Sequence, residues 1–276
     1  MSGLSTALPV GPSNPRIKSA VRLRERKERD ASGLTLVDGA RELRRALEAG
    51  IEVVEAFVCE PLLAGENARA ALDALQGSRV PLTTTTEAGF AKLAFGDRAE
   101  GLVAVVRAPS LALADLHLPV DPLILVIESV EKPGNVGAVL RSADGAGVDA
   151  VVAASPRTDL ANPNVIRASA GTIFAVPMAA AGSREVLDWL RERRVRVLAA
   201  RVDGARAYTD ADLKGPLAIV VGAEAEGLTD VWTGPDVEAI HLPMRGVADS
   251  LNVSVSAAVL AYEARRQRGG TTPEGD

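Results

Sequence analysis

Between Asp121 and the C-terminus five apolar runs recur, PLILVIESV, VDAVVAAS, VRVLAARV, PLAIVVGAE and VEAIHLPM, separated by segments of helix length. A strand with one wet face alternates apolar and polar residues. Runs that barely alternate belong to strands covered on both faces, as in a parallel sheet flanked by helices. Parallel neighbours need crossover connections, and the spacing predicts helices over about 135–147, 164–172, 183–193 and 250–267. The last carries Leu251, Val255, Val259 and Tyr262 on one stripe and ends in the charged EARRQRGG. Residues 122–268 therefore read as a doubly wound α/β domain.

The first half is different. From Leu34 to Ala108 short strand-like stretches (LTLVDG, VVEAFVCE, VPLTTT, GLVAVVRA) alternate with helical patterns, and Gly50 closes the first clear helix. This is a smaller α/β domain, taken as 14–108. PSLALADLHLPVDP, bracketed by Pro109 and Pro122, reads as a linker over 109–121, and residues 1–13 and 269–276 as disordered ends. Positive charge gathers at Arg16, Lys18, Arg22, Arg24, Arg26, Lys27 and Arg29, whereas the whole chain has 31 basic and 36 acidic residues, a net charge of −5. Two readings of that arm stay open: a solvated amphipathic helix with Ile17 and Val21 facing inward, or a contact for a polyanion.

Composition removes several classes. One cysteine, Cys59, and two histidines, His117 and His241, cannot build a Cys/His zinc site, and a lone thiol forms no internal disulfide. No metal is expected, and the compartment reads as the reducing cytosol. No apolar run approaches the roughly 20 residues that span a bilayer, and MSGLSTALPVGPSNP has no basic-then-apolar signal pattern. Aromatics are only 3% of the chain, which argues against a surface built on base stacking. Gly145-Ala146-Gly147-Val148-Asp149-Ala150 has the letters of a dinucleotide fingerprint but ends a helix and precedes a strand, the reverse of the required context. Cys59 reads as a small core residue and His241 as structural.

In a parallel sheet ligands bind beyond the carboxyl ends of the strands, and three loops there are unusual. The first, Glu131-Lys132-Pro133-Gly134-Asn135-Val136-Gly137, leads to Arg141; Asn135 reads as a helix cap and Arg141 shares a face with Gly137. The second, Gly222-Ala223-Glu224-Ala225-Glu226-Gly227, sets carboxylates between glycines that let a backbone approach a ligand. The third runs from Leu242-Pro243-Met244 to Ser250-Leu251-Asn252 at the start of the last helix; only one of Ser250 and Asn252 can cap it, which leaves the other for a different task.

In this order and spacing the three loops resemble the signature motifs of the SpoU (TrmH-like) branch of the SPOUT methyltransferases, over essentially the whole second domain. The first domain is similar to the RNA-binding domain of these enzymes, related to a ribosomal-protein fold, with Asp38 where the family commonly has Glu before Gly. The resemblance implies an α/β fold with a deep C-terminal trefoil knot, S-adenosylmethionine as cofactor, a cytoplasmic homodimer whose sites are completed across subunits, and methyl transfer to a ribose 2′-hydroxyl. It implies cofactor contacts from Gly222, Leu242, Met244 and Leu251, and a reaction centre of Asn135, Arg141, Glu224, Ser250 and Asn252. It makes Arg141 the activator of the hydroxyl; a guanidinium stays charged at any working pH, so stabilising an alkoxide or gripping a phosphate is the easier role.

An RNA partner suits the acidic total if Arg16, Lys18, Arg22, Arg24, Arg26 and Lys27 do the gripping. Ribosomal RNA is favoured over transfer RNA. The alternatives are a transfer-RNA 2′-O-methyltransferase, a non-catalytic RNA-binding or ribosome-assembly factor on the same fold, an enzyme acting on a base nitrogen, and a dehydrogenase.

Overall fold

The structure, a computed structural model, describes residues 8–95, 100–223 and 226–269. It divides into two units, one formed by the described residues up to Pro109 with Asp159–Ala175, the other by Ser110–Thr158 with the described residues from Val176 onward.

The first unit contains α1 (Pro15–Arg22), α2 (Arg26–Ser32), β1 (Leu34–Asp38), α3 (Ala40–Glu48), β2 (Val53–Val58), α4 (Gly65–Gln76), β3 (Leu82–Thr84), α5 (Glu87–Leu93) and β4 (Leu102–Arg107). Its sheet runs β1-β4-β2-β3, with β4 antiparallel to both neighbours. Ile17, Ala20 and Leu23 close one face of that sheet with Leu36, Phe57, Phe90 and Val103. The basic arm is two short helices rather than one. Arg29 donates to the carbonyls of Leu23 and Arg24 (2.8 and 2.7 Å), satisfying backbone groups that the break between α1 and α2 exposes. The chain is also ordered earlier than expected: the Val10 N–H donates to the Thr84 carbonyl (2.9 Å), and its own carbonyl accepts from Thr86 (3.0 Å).

The second unit contains β5 (Leu123–Glu128), α6 (Pro133–Ala146) and β6 (Ala150–Ala154); α7 (Pro163–Ala168) lies in the segment that groups with the first unit; next come β7 (Met178–Ala181), α8 (Ser183–Glu192), β8 (Arg196–Ala200), β9 (Arg206–Ala207), β10 (Leu217–Val221), β11 (Val237–His241) and α9 (Val253–Gln267). The strands form one parallel sheet, β7-β6-β5-β10-β8-β11-β9. Every residue of β5, β6 and β10 is buried, as their unbroken apolar runs require. The short strands β7 and β9 are additions to the expected set; Met178–Ala181 is all small or flexible residues and carries no β-branched signal.

Three expectations change. The stretch 109–121 is not a free linker: Leu113 and Leu116 are buried in the second core, and the Leu111 carbonyl accepts from Ala180 (2.8 Å). Segment 159–175, expected within the second domain, is held in the first unit. The buried Arg29 donates to Asp159 (2.8 Å), Thr35 Oγ1 to the Ala161 carbonyl (2.6 Å) and Arg167 to Asp38 (2.8 Å). The stripe Leu251, Val255 and Tyr262 faces outward, at 37%, 46% and 53% exposure, while Val253, Ala257, Leu260, Ala261 and Ala264 face the core. Gly147, at φ 65°, ends α6 as a left-handed cap, which accounts for the misplaced glycine pattern.

Candidate active site

Three neighbouring strands of the parallel sheet deliver their exits to one place. A cavity of about 490 Å³ is lined by Ala200–Asp203 at the end of β8 and beyond it, by Val221, Gly222, Ala223, Gly227 and Leu228 at the end of β10 and beyond it, and by Leu242, Met244, Ser250 and Leu251 between β11 and α9. All four residues expected to hold a cofactor are on this wall, and Ser250 is beside them.

The loop after β10 owes its shape to glycine. The Gly227 N–H donates to the Ala223 carbonyl (2.9 Å) with Gly227 at φ 66°, and a Cβ on Gly222 would lie 2.4 Å from the Gly227 carbonyl. The far end of that loop is anchored by Glu128, the fully buried last residue of β5. Its carboxylate accepts from the Thr229 N–H (2.7 Å), Thr229 Oγ1 (2.8 Å) and Ser183 Oγ (2.5 Å). Three donors compensate a carboxylate that burial would otherwise penalise. The residue after β5, Ser129, and the residue after β6, Ser155, both have left-handed φ (53° and 45°), a conformation that costs energy outside glycine and gathers at functional loops.

A second, polar cleft of about 150 Å³ adjoins the first and shares Ala223, Glu226 and Val253 with it; Glu131, Lys132, Asn135 and Arg157 complete its wall. Asn135 is not the helix cap. Pro133 occupies the first helical position and starts α6 from Lys132, which places Asn135 inside the first turn. Asn252 is a cap: its Oδ1 accepts from the Ser254 N–H (2.9 Å) and Oγ (2.6 Å), and its Nδ2 donates to Asn135 Oδ1 (3.4 Å). Ser250 is thereby left on the cavity wall. Arg141 is exposed on α6 and lines neither cavity. Glu224 lies outside the described residues.

The basic arm separates by role. Arg24 donates to the carbonyls of Lys92, Leu93 and Ala94 (2.9, 3.1 and 2.8 Å) and stacks over Phe95, so it caps the end of α5. Arg16 pairs with Glu55 (3.2 Å), Arg22 with Glu28 (2.7 Å) and Arg26 with Asp30 (3.4 Å); Lys18 and Lys27 are exposed. Cys59 is buried, and burial pushes its thiol up. Among the described residues no cluster of three His, Cys, Asp or Glu is placed to hold a metal, and no helix is long and apolar enough to cross a membrane.

Sequence reasoning missed Glu128, Arg157 and Arg201. Glu128 had a signal, a single carboxylate ending an otherwise apolar run. Arg201 pairs with Asp203 (2.8 Å), which holds that carboxylate below its usual range. Arg157 had no signal: it sits after β6, and only folding brings it to Glu131 (2.9 Å) and Glu226 (2.6 Å). Their hydrogen bonds, Glu226 first, raise its affinity for the proton further.

Known proteins resemble this chain in sequence and fold. Residues 122–262 match the SpoU rRNA Methylase family and residues 14–104 the MRM3-like substrate binding domain. The chain is 27% identical to the 23S rRNA (guanosine(2553)-2'-O)-methyltransferase RlmP of Bacillus subtilis, over 91% of this chain and 96% of that protein. A crystal structure described as an RNA 2'-O ribose methyltransferase superposes with a TM-score of 0.82 at 44% identity, covering 94% of this chain and 98% of that one. The SpoU methyltransferase AviRb of Streptomyces viridochromogenes, solved with AdoMet, gives 0.82 at 27% identity, covering 92% and 98%. With the family's model matching residues 122–262, more than half of its length, the chain belongs to the SpoU rRNA methylase family.

Proposed function

We propose that this protein transfers a methyl group from S-adenosylmethionine to a ribose 2′-hydroxyl of ribosomal RNA. The observation that carries the reading is the convergence of three loops, far apart in sequence, on one cavity with a polar cleft beside it. The cavity suits the cofactor: apolar Leu242, Met244 and Leu251 and the backbone exposed by Gly222 and Gly227 would take an adenosine, and Arg201, Asp203, Glu226 and Asp249 on the same wall offer both signs of charge to the charged methionine end. When bound, the cofactor supplies a methyl carbon activated by a sulfonium.

The protein's own contribution is positioning and charge. A ribose hydroxyl is a poor nucleophile until its proton leaves, and holding its oxygen in line with the methyl carbon removes much of the barrier. Asn135, tied to Asn252, and Ser250 on the adjoining wall would orient that hydroxyl. Glu224 would brace the Asn135 side.

Arg141 stabilises the developing alkoxide of a site completed by a second copy of the chain, in a homodimer. Two features support this. Arg141 is exposed, and Gly145, one turn further along α6, lies against Tyr262 of the outward stripe Leu251, Val255 and Tyr262. An apolar stripe of that kind is what a homodimer covers. The basic arm would guide RNA, the last segment of the chain would thread a loop to form the trefoil knot, and the enzyme would work in the cytoplasm.

The test is incubation with methyl-labelled S-adenosylmethionine and unmodified total RNA, then digestion to nucleosides and mass spectrometry. Label in a 2′-O-methylnucleoside is expected. Label only in methylated bases, or none where cofactor binding is also lost, would refute the reading.

A further inference from the structure

Arg157 belongs to no motif that the sequence singled out, yet it stands on the wall of the polar cleft beside the cofactor-sized cavity, next to Asn135. Its guanidinium is pinned from two sides, Nη1 to Glu131 of the loop after β5 and Nη2 to Glu226 of the loop after β10. Both carboxylates are more exposed than the arginine, at 63% and 59% against 45%, so an incoming anion can reach the guanidinium and displace them into water. Lys132 stands on the same wall, so among the described residues the cleft is lined by two cations and two carboxylates. A guanidinium fork matches phosphate oxygens as well as it matches carboxylates. We infer that Arg157 is a positioning residue for the methyl transfer: it grips a backbone phosphate of the RNA strand next to the acceptor ribose, and Glu131 and Glu226 hold the guanidinium ready until the phosphate displaces them.

The inference rests on the RNA methyl-transfer reading and gives the acceptor strand an anchor beside the cofactor cavity. Phosphate gripping fixes position while leaving sequence choice to other contacts.

The experiment measures affinity for in vitro-transcribed 23S rRNA over a KCl series with full-length wild type, Arg157→Ala, Arg157→Lys and Glu226→Gln, with S-adenosylmethionine affinity determined in parallel by calorimetry. Loss of one phosphate contact lowers the slope of log affinity against log salt by about 0.7 to 0.9. That drop is expected for Arg157→Ala, with weaker RNA binding, a raised KM for RNA and unchanged cofactor affinity. Arg157→Lys should retain most of the slope but bind more weakly than wild type, having lost the two-point grip. Glu226→Gln, which releases one of the two competing carboxylates, should bind RNA more tightly. An unchanged slope in Arg157→Ala, or a loss confined to cofactor affinity, would reduce Arg157 to a clasp between two loops and overturn the inference. Label transfer by wild type is scored separately: its failure counts against the methyltransferase reading, whereas the salt slope decides Arg157.

Discussion

Asn252 and Asn135, 117 positions apart, meet at 3.4 Å between Nδ2 and Oδ1, and the same Asn252 caps α9 through its Oδ1. One side chain thus starts the last helix with one atom and fixes a cleft residue with the other. Loss of a cap costs about 1 kcal/mol, or roughly 2–4 °C in a domain of this size. Asn252→Ala should lose that stability and turnover together. Asn252→Ser can still cap but is too short to reach Asn135, so it should melt near wild type and still lose turnover. Thermal melts and single-turnover assays on the pair check this; full activity in Asn252→Ser would return the residue to capping alone.

Gly222→Ala should damage the cofactor cavity without unfolding the sheet. Its Cβ would meet the Gly227 carbonyl at 2.4 Å, closer than backbone can tolerate, so the loop has to open. Cofactor affinity is expected to fall at least tenfold, by calorimetry, with the circular dichroism spectrum unchanged.

Arginines of one arm should part company. Neutralising Arg22, Arg26, Lys18 and Lys27 together should flatten the salt dependence of RNA affinity while the melting temperature holds, because exposed ion pairs contribute little. Arg24→Ala should instead lower the melting temperature, since it leaves three carbonyls at the end of α5 without their donor. Arg141→Ala should abolish turnover and spare cofactor binding; a fully active variant would remove Arg141 from the reaction.

Asp38 gives the first unit a pH signature. Burial pushes its carboxyl up to about 6, helped by Glu100 and Glu42 and opposed by the Phe95 N–H and Arg167. Its Oδ1 has no hydrogen-bond partner among the described residues. A carboxyl raised in the fold binds its proton more tightly there than in the unfolded chain, so its stabilising contribution is full below about 3.8 and is lost as pH rises through about 6. The melting temperature of wild type minus that of Asp38→Asn should therefore fall between pH 4 and 6 and level off above 7. A difference that stays flat across that range would place the Asp38 carboxyl in the ordinary range.

The sequence alone pointed to the parallel sheet, because strands such as Leu123–Glu128 and Leu217–Val221 are apolar at nearly every position and recur between segments of helix length, the pattern of strands covered on both faces. It determined the three loops as well, since glycine, proline and capping side chains act within a few residues of themselves. Tertiary structure decided the rest. Whether Leu251, Val255 and Tyr262 face the core or water depends on which side of α9 meets the sheet, and small Ala257, Ala261 and Ala264 pack closer than the larger stripe can. Asp159 and Arg167 lie within the expected second domain, yet their charges are satisfied by Arg29 and Asp38 of the first unit. Arg157, Glu128 and the Asn135–Asn252 contact are meetings across 26 to 117 positions of chain. Spacing along a sequence constrains neighbours on one helix or strand; it says nothing about partners that only the closed sheet brings together.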